Sequence, residues 1–132
     1  MSSEILGISH ITFVVTDLDR TAAFLKEIFA AEEVFTNSTT KYFRINDLWL
    51  ALNRGEPHSE RTYNHVAFAI QDADFEKFVE RIQNVGAEIM QGRARHDGES
   101  RSVYFYDYDN NLFELHTGTL ENRLTHYSED KQ

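Results

Sequence analysis

Two histidines and one glutamate stand where they could bind a metal ion. His10 lies in segment 8–17 and His65 in segment 63–72, and both segments alternate in the way typical of a half-buried strand. Glu114 lies in a similar short segment. Side chains two residues apart in a strand lie on the same face. The strand face that carries each histidine also carries small residues. Imidazole and carboxylate bind divalent ions, and three protein ligands leave positions open for a substrate. The pattern therefore indicates a catalytic metal site.

A second group of side chains could bind a small anion. Its arginines and hydroxyls lie near the C-terminal end: Arg93, Arg95, Arg101, Ser102, Tyr104, Tyr106 and Arg123. The planar guanidinium group binds phosphate or phosphonate oxygens in pairs. A lone strand histidine is often structural, and a basic loop in an acidic protein is often only solvated. From the residues alone, functional and structural roles both stay open.

The composition excludes several classes of protein. Among 132 residues, 13 Lys and Arg stand against 22 Asp and Glu, and the net charge of −9 disfavours a nucleic-acid partner. The chain has no cysteine, which excludes disulfides, Cys-bound metals and a Cys nucleophile. No apolar run approaches the ~20 residues of a membrane helix, and the first residues do not resemble a signal peptide. We therefore expect a cytoplasmic protein with no membrane contact.

The chain contains an internal repeat. At an offset of 55 residues, His10 aligns with His65 and Asp17 with Asp72. Each aspartate could cap a following helix, and short strands follow each helix. The sequence thus predicts an α+β fold of two tandem βαβββ modules. The predicted modules are 1–57 and 58–132, the second with a C-terminal tail.

The ends of the two modules also match. At an offset of 64, DLWLAL at 47–52 aligns with NLFELH at 111–116, which pairs Leu50 with Glu114. Because leucine is not a metal ligand, we expect the first module to add no fourth ligand at that position.

These features resemble the fosfomycin-resistance enzymes of the vicinal-oxygen-chelate superfamily. The resemblance covers about residues 7–127 and is carried by GISHIT, ERTYNHVAF, DLWLAL and RSVYFYDYDNNLFELHTGTLENRL. It implies that paired sheets form a half-barrel around a divalent metal, typically Mn²⁺, and that the enzyme opens the epoxide of fosfomycin. It also implies a swapped homodimer, in which His10 comes from one subunit, and His65 and Glu114 from the other.

The resemblance also implies a role for each site residue. The metal ligands are His10, His65 and Glu114. The catalytic residues are Thr12, which assists the epoxide oxygen, and Tyr42. The phosphonate-binding residues are Arg93, Ser102, Tyr104 and Arg123, and the remaining pocket residues are Trp49 and Tyr63.

The attacking nucleophile differs between branches of this family. The hydrolase branch activates water with a glutamate in a pattern like EKFF, where this chain has TKYF and Thr40. Threonine is not a base near neutral pH, whereas a thiol ionises more readily than water. The run YFRINDLWLAL resembles the thiol-transferase branches, although the first 30 residues resemble the hydrolases. We therefore expect a small thiol such as glutathione, with hydrolysis as the alternative and Glu32 or Glu33 as a replacement base.

Other members of the superfamily provide further alternatives. A non-catalytic antibiotic-binding protein would generally lack the three metal ligands. A dioxygenase would usually add a His and Tyr pair, and a glyoxalase a fourth ligand. The K⁺ loop of one transferase branch is matched only loosely by HDGESRS at 96–102, so K⁺ is not expected.

Overall fold

The structure is a computed structural model that describes residues 2–90 and 100–130, with side chains described as far as residue 125. The chain forms two compact units, residues 1–58 and 59–132. Each unit contains a strand, a helix and three further strands in that order. This order confirms the predicted α+β fold with two βαβββ repeats. No helix in the described ranges is long and apolar enough to cross a membrane.

The first unit is a four-stranded sheet with one helix packed against it. Its elements are β1 (His10–Val15), α1 (Leu18–Phe29), β2 (Glu32–Thr36), β3 (Thr40–Ile45) and β4 (Leu48–Arg54). The strand order is β1-β4-β3-β2, with β1 parallel to β4 and the other neighbours antiparallel. One face of the sheet packs against α1 in a core of Phe24, Leu25, Ile28, Phe43, Leu50 and Leu52. The opposite face of β1 exposes His10 and Thr12.

Local chemistry sets both ends of α1. The Asp17 side chain accepts a hydrogen bond from the backbone N–H of Arg20 at 3.0 Å, which confirms the predicted cap. The helix ends at Phe29 because Ala30 adopts a left-handed conformation with φ of 53°. Its N–H then bonds back to the carbonyl of Lys26, and the chain turns into β2.

The second unit repeats this architecture. Its elements are β5 (His65–Ala69), α2 (Phe75–Asn84), β6 (Ile89–Met90), β7 (Ser102–Tyr106), β8 (Leu112–His116) and α3 (Leu120–Asp130). The strand order is β5-β8-β7-β6, with β5 parallel to β8. The core contains Ile82, Phe105, Phe113 and Leu115, and the rings of Phe105 and Phe113 stack with centroids 5.7 Å apart.

The predicted cap at Asp72 is wrong. Asp72 begins a single 3₁₀ turn at Asp72–Asp74, and α2 starts only at Phe75, without a side-chain cap. The Asp72 carboxylate accepts a hydrogen bond from Arg101 Nε at 2.9 Å instead. Competition from a guanidinium group across the fold therefore removes the cap that the repeat suggested.

The predicted pairing of Leu50 with Glu114 is also wrong, by one residue. Glu114 lies opposite Ala67 of β5, and the corresponding residue opposite Thr12 of β1 is Ala51. Leu50 is fully buried on the other face of its sheet. A shift of one residue in a strand moves a side chain to the opposite face. The position equivalent to Glu114 is thus Ala51, whose methyl group is not a metal ligand.

Candidate metal centre

Parallel strands β5 and β8 bring His65 and Glu114 together. Because Ala67 lies opposite Glu114, the glutamate shares the sheet face of His65. Glu114 Oε1 is 3.0 Å from His65 Nε2. His65 Nδ1 is 2.7 Å from the carbonyl oxygen of Tyr63, which only accepts hydrogen bonds, so Nδ1 carries a proton.

This proton assignment determines what the pair can bind. In the neutral imidazole, His65 Nε2 presents a lone pair to a carboxylate oxygen that also carries lone pairs. A cation between the two atoms would satisfy both. The pair is therefore a fitting part of a divalent-metal site, with one nitrogen and one oxygen ligand.

The second carboxylate oxygen of Glu114 is bound within the protein. Ser102 Oγ donates a hydrogen bond to Glu114 Oε2 at 2.6 Å. The same hydroxyl oxygen lies 2.7 Å from His116 Nδ1. Glu114 is buried, so these contacts determine its orientation and leave Oε1 facing His65.

Tyrosine rings surround His65. Tyr63 and Tyr104 lie with ring centroids 4.9 and 5.3 Å from the imidazole, and the Tyr63 hydroxyl donates to the Tyr104 hydroxyl at 3.1 Å. Burial, followed by the Tyr63 hydrogen bond and the charge of Glu114, raises the pKa of Tyr104 well above its usual range. Tyr104 therefore keeps its proton and can serve as a hydrogen-bond donor.

Four predicted residues of the first unit share the exposed face of its sheet. His10 lies opposite Trp49 in the register of β1 and β4, and Thr12 and Tyr42 both lie opposite Ala51. The His10 ring stacks on Trp49 with centroids 4.2 Å apart, and Tyr42 meets Trp49 edge-on at 5.2 Å. The sheet thus brings the predicted catalytic and pocket residues of this unit together.

The predicted ligands are divided between the two units. The second unit holds His65 and Glu114, and the first holds His10. Within the described residues, no group of three His, Cys, Asp or Glu side chains is placed to hold a metal ion. The structure therefore brings together two of the three predicted ligands.

Three of the four predicted phosphonate-binding residues lie in the described part of the chain. Arg93 lies outside the described residues. Ser102 and Tyr104 lie on β7 beside Glu114, and Arg123 is half-buried on α3. Arg101 is held by Asp72 and Glu76, each at 2.9 Å, which ties it to the start of α2.

The two candidate replacement bases are both engaged with cations. Glu32 pairs with Arg44 at 3.1 Å. Glu33 lies on the helix-covered face opposite Phe43 and pairs with Lys26 and Lys41, each at 3.1 Å. Hydrogen bonds from Lys26 and then Lys41 lower the pKa of Glu33. A carboxylate held in this way is a weak base.

Comparisons with known proteins identify the family of this chain. The sequence profile of the "Glyoxalase/Bleomycin resistance protein/Dioxygenase superfamily" matches residues 7–115. The chain is 52% identical over 130 residues to the fosfomycin resistance protein FosX of Listeria innocua, covering 93% of this chain and 98% of the relative. It is 38% identical over 136 residues to the metallothiol transferase FosB of Bacillus licheniformis, covering 98% and 87%.

One solved structure is similar to this chain in both fold and sequence. It is a variant of the fosfomycin resistance protein FosX from Listeria monocytogenes, in complex with Mn(II) and 1S,2S-dihydroxypropylphosphonic acid. The TM-score is 0.87 and the identity 52%, with 93% of this chain and 98% of that chain covered.

Proposed function

The chain belongs to the glyoxalase/bleomycin resistance protein/dioxygenase superfamily, among the fosfomycin resistance proteins, and we propose that it opens the epoxide of fosfomycin at a divalent metal. The observation that carries this proposal is the pair formed by His65 Nε2 and Glu114 Oε1 at 3.0 Å. Its donor set suits Mn²⁺, the ion bound by the similar FosX structure, and accepts other divalent ions as well.

His10, His65 and Glu114 would hold the metal. Bound there, the ion supplies a Lewis acid that stabilises the negative charge developing on the epoxide oxygen. Thr12 lies on the same sheet face as His10 and would assist the epoxide oxygen. Tyr104, whose pKa is raised by burial and by the Tyr63 hydrogen bond, would bind the phosphonate as a neutral phenol.

The remaining site residues bind and orient the phosphonate. Arg93 and Arg123 neutralise its charge, and their planar groups fix its direction relative to the attacking atom. Trp49 and Tyr63, with exposed fractions of 40% and 58%, offer ring surface that excludes water from the bound epoxide.

A small thiol is the proposed nucleophile. At the position of the hydrolase glutamate this chain has Thr40, whose hydroxyl donates to Asn53 Oδ1 at 3.2 Å. The nearby Glu33 is held by two lysines and has a lowered pKa. A thiol needs less assistance from a base than water does. Its sulfur would form a bond to one epoxide carbon as the bond from that carbon to oxygen breaks, and the proton lost by the thiol would balance the proton gained by that oxygen.

Water is the second candidate, and specific observations favour it. The chain is 52% identical to one FosX protein and 38% identical to one FosB transferase. The diol in the similar FosX structure is the compound that addition of water to the fosfomycin epoxide would form.

The proposed enzyme is a homodimer whose site takes His10 from one subunit and His65 and Glu114 from the other. The exposed His10 and Trp49 support it, since a partner chain would cover this face. We assign the enzyme to the cytoplasm, where small thiols are kept reduced.

Phosphorus NMR tests the proposal directly. Fosfomycin is incubated with the Mn²⁺-loaded chain in four tubes, which contain no thiol, glutathione, bacillithiol or cysteine. We expect a new phosphonate signal only where a thiol is present. Equal conversion without thiol would establish hydrolysis and overturn the thiol assignment. A failure of conversion in all tubes would overturn the enzyme proposal and favour a protein that binds antibiotic without chemistry.

A further inference from the structure

A chain of hydrogen bonds leads from His116 to the carboxylate of Glu114. His116 Nδ1 lies 2.7 Å from Ser102 Oγ, and that hydroxyl lies 2.6 Å from Glu114 Oε2. His116 Nδ1 is also 3.4 Å from Glu114 Oε2. The three side chains occupy neighbouring positions on one face of the β7–β8 pair, since Ser102 lies opposite His116.

The direction of these hydrogen bonds follows from the carboxylate. An ionised carboxylate only accepts, so Ser102 gives its single hydroxyl proton to Glu114. The serine oxygen is then an acceptor toward His116, which must carry its proton on Nδ1. His116 therefore donates to Ser102, Ser102 donates to Glu114, and each of the two bonds strengthens the other.

The first unit provides an internal comparison. Thr40 and Asn53 lie opposite one another as Ser102 and His116 do, and the Thr40 hydroxyl lies 3.2 Å from Asn53 Oδ1. There the residue equivalent to Glu114 is Ala51. An asparagine at this sheet position can therefore reach the hydroxyl across the strand pair.

Gly118 leaves room for the imidazole of His116 in this position. A Cβ atom on Gly118 would lie 3.1 Å from His116 Nε2 and 2.3 Å from Ser100 Cβ. A side chain at position 118 would therefore crowd both Ser100 and the His116 ring.

We propose that His116 is a positioning residue for the metal ligand Glu114, acting through the Ser102 hydroxyl. This inference rests on the proposed function only in taking Glu114 as a ligand. His116 holds the carboxylate so that Oε1 faces His65, and the metal affinity depends on the donor at the position of Nδ1. Outer contacts of this kind typically change metal affinity by about 10–100-fold.

Two amide substitutions separate this role from simple packing. The amide nitrogen of asparagine can occupy the place of Nδ1, whereas that of glutamine corresponds to Nε2. We expect His116→Gln to weaken Mn²⁺ binding by about 10–100-fold, and His116→Asn to retain affinity within about threefold of wild type. Free Mn²⁺ is measured by electron paramagnetic resonance, and turnover is expected to recover in His116→Gln when Mn²⁺ is raised to saturation.

The proposal would be overturned if Mn²⁺ affinity fell equally in both variants, or if it fell in neither. A second measurement needs no variant: two-dimensional ¹H–¹⁵N spectra of the wild-type imidazoles report which nitrogen is protonated. We expect the proton of His116 on Nδ1, and a proton on Nε2 alone would contradict the hydrogen-bond order. If the wild-type chain did not bind Mn²⁺, the proposed function would be overturned instead. The imidazole spectrum would then still test the hydrogen-bond order at His116.

Discussion

The side chain of Glu114 lies at the centre of the contacts on which the proposed chemistry depends. One oxygen faces His65 and the other accepts from Ser102. The residue types and strand positions of Glu114 and His65 are visible in the sequence and made both candidate ligands. The contact of His116 with Ser102 could not be predicted, because it depends on which residue of β7 lies across from His116.

Glu114→Gln should abolish tight Mn²⁺ binding and fosfomycin conversion. The amide has the shape of the carboxylate but lacks its charge, and its nitrogen is no metal ligand. Mn²⁺ affinity measured by electron paramagnetic resonance, together with phosphorus NMR, checks both effects. Glu27→Gln, an exposed position on α1, is the matched control and should leave both unchanged. Wild-type affinity in Glu114→Gln would show that the metal is held elsewhere.

Arg123→Ala should weaken fosfomycin binding without changing metal affinity. A lost hydrogen bond to a charged group costs about 1.5–3 kcal/mol, so KM should rise about 10–100-fold. Steady-state kinetics at saturating Mn²⁺ measure KM, and a metal titration serves as the control. An equal loss of both affinities would mean that Arg123 supports the fold rather than the phosphonate.

At the scale of strands, the sequence predicts faces better than it predicts register. The alternation in β1 and β5 correctly separated exposed from covered positions. The pairing of Leu50 with Glu114 was off by one residue, because two modules with loops of different length leave the offset undetermined. Only the strand register, which places Thr12 opposite Ala51 and Ala67 opposite Glu114, settles it.

At the scale of helices, capping could be predicted only where nothing competes for the capping side chain. Asp17 caps α1 as expected. Asp72 does not cap α2, since Arg101 binds its carboxylate and a 3₁₀ turn precedes the helix. Arg101 is 29 residues from Asp72 in sequence, so the residues around Asp72 do not predict this contact.

Glu33→Gln should loosen the contact between α1 and the first sheet. The lowered pKa of Glu33 means that its ionised form stabilises the fold above the unfolded value near 4.5, and that this contribution is lost as the pH falls through the lower folded value. We expect a loss of about 1 kcal/mol at pH 7, discounted for partial exposure.

Urea unfolding at pH 7 and at pH 3 measures this difference between wild type and Glu33→Gln. The difference should shrink at the lower pH. Glu32→Gln is the control, because its pair with Arg44 is exposed at 65% and 61% and should contribute little. A difference for Glu33→Gln that does not depend on pH would contradict the assigned role of its charge.

At the scale of the whole molecule, the proposed homodimer would explain why the three proposed metal ligands are divided between the two units. His10 comes from the first unit, and His65 and Glu114 from the second. In a symmetric dimer each site can combine one unit from each chain, which makes two equal sites. The sequence suggested this arrangement only through its resemblance to the family.

Mixing two inactive variants tests the divided site. His10→Ala and Glu114→Ala should each be inactive alone. Co-expressed, they form mixed dimers in which one of two sites keeps all three ligands, so activity should return to about a quarter of wild type with random pairing. The measurement is thiol-dependent fosfomycin consumption by the purified mixture. No recovery, in mixed dimers shown to form by mass spectrometry, would place all three ligands within one chain.

The most direct measurement of the central claim is fosfomycin consumption by the wild-type chain after chelation and after Mn²⁺ is restored. Phosphorus NMR follows the substrate in the presence of glutathione. We predict no consumption in the chelated protein and rapid formation of a new phosphonate once Mn²⁺ is added. Equal consumption with and without metal, or none in either sample, would contradict epoxide opening at a metal held by His10, His65 and Glu114.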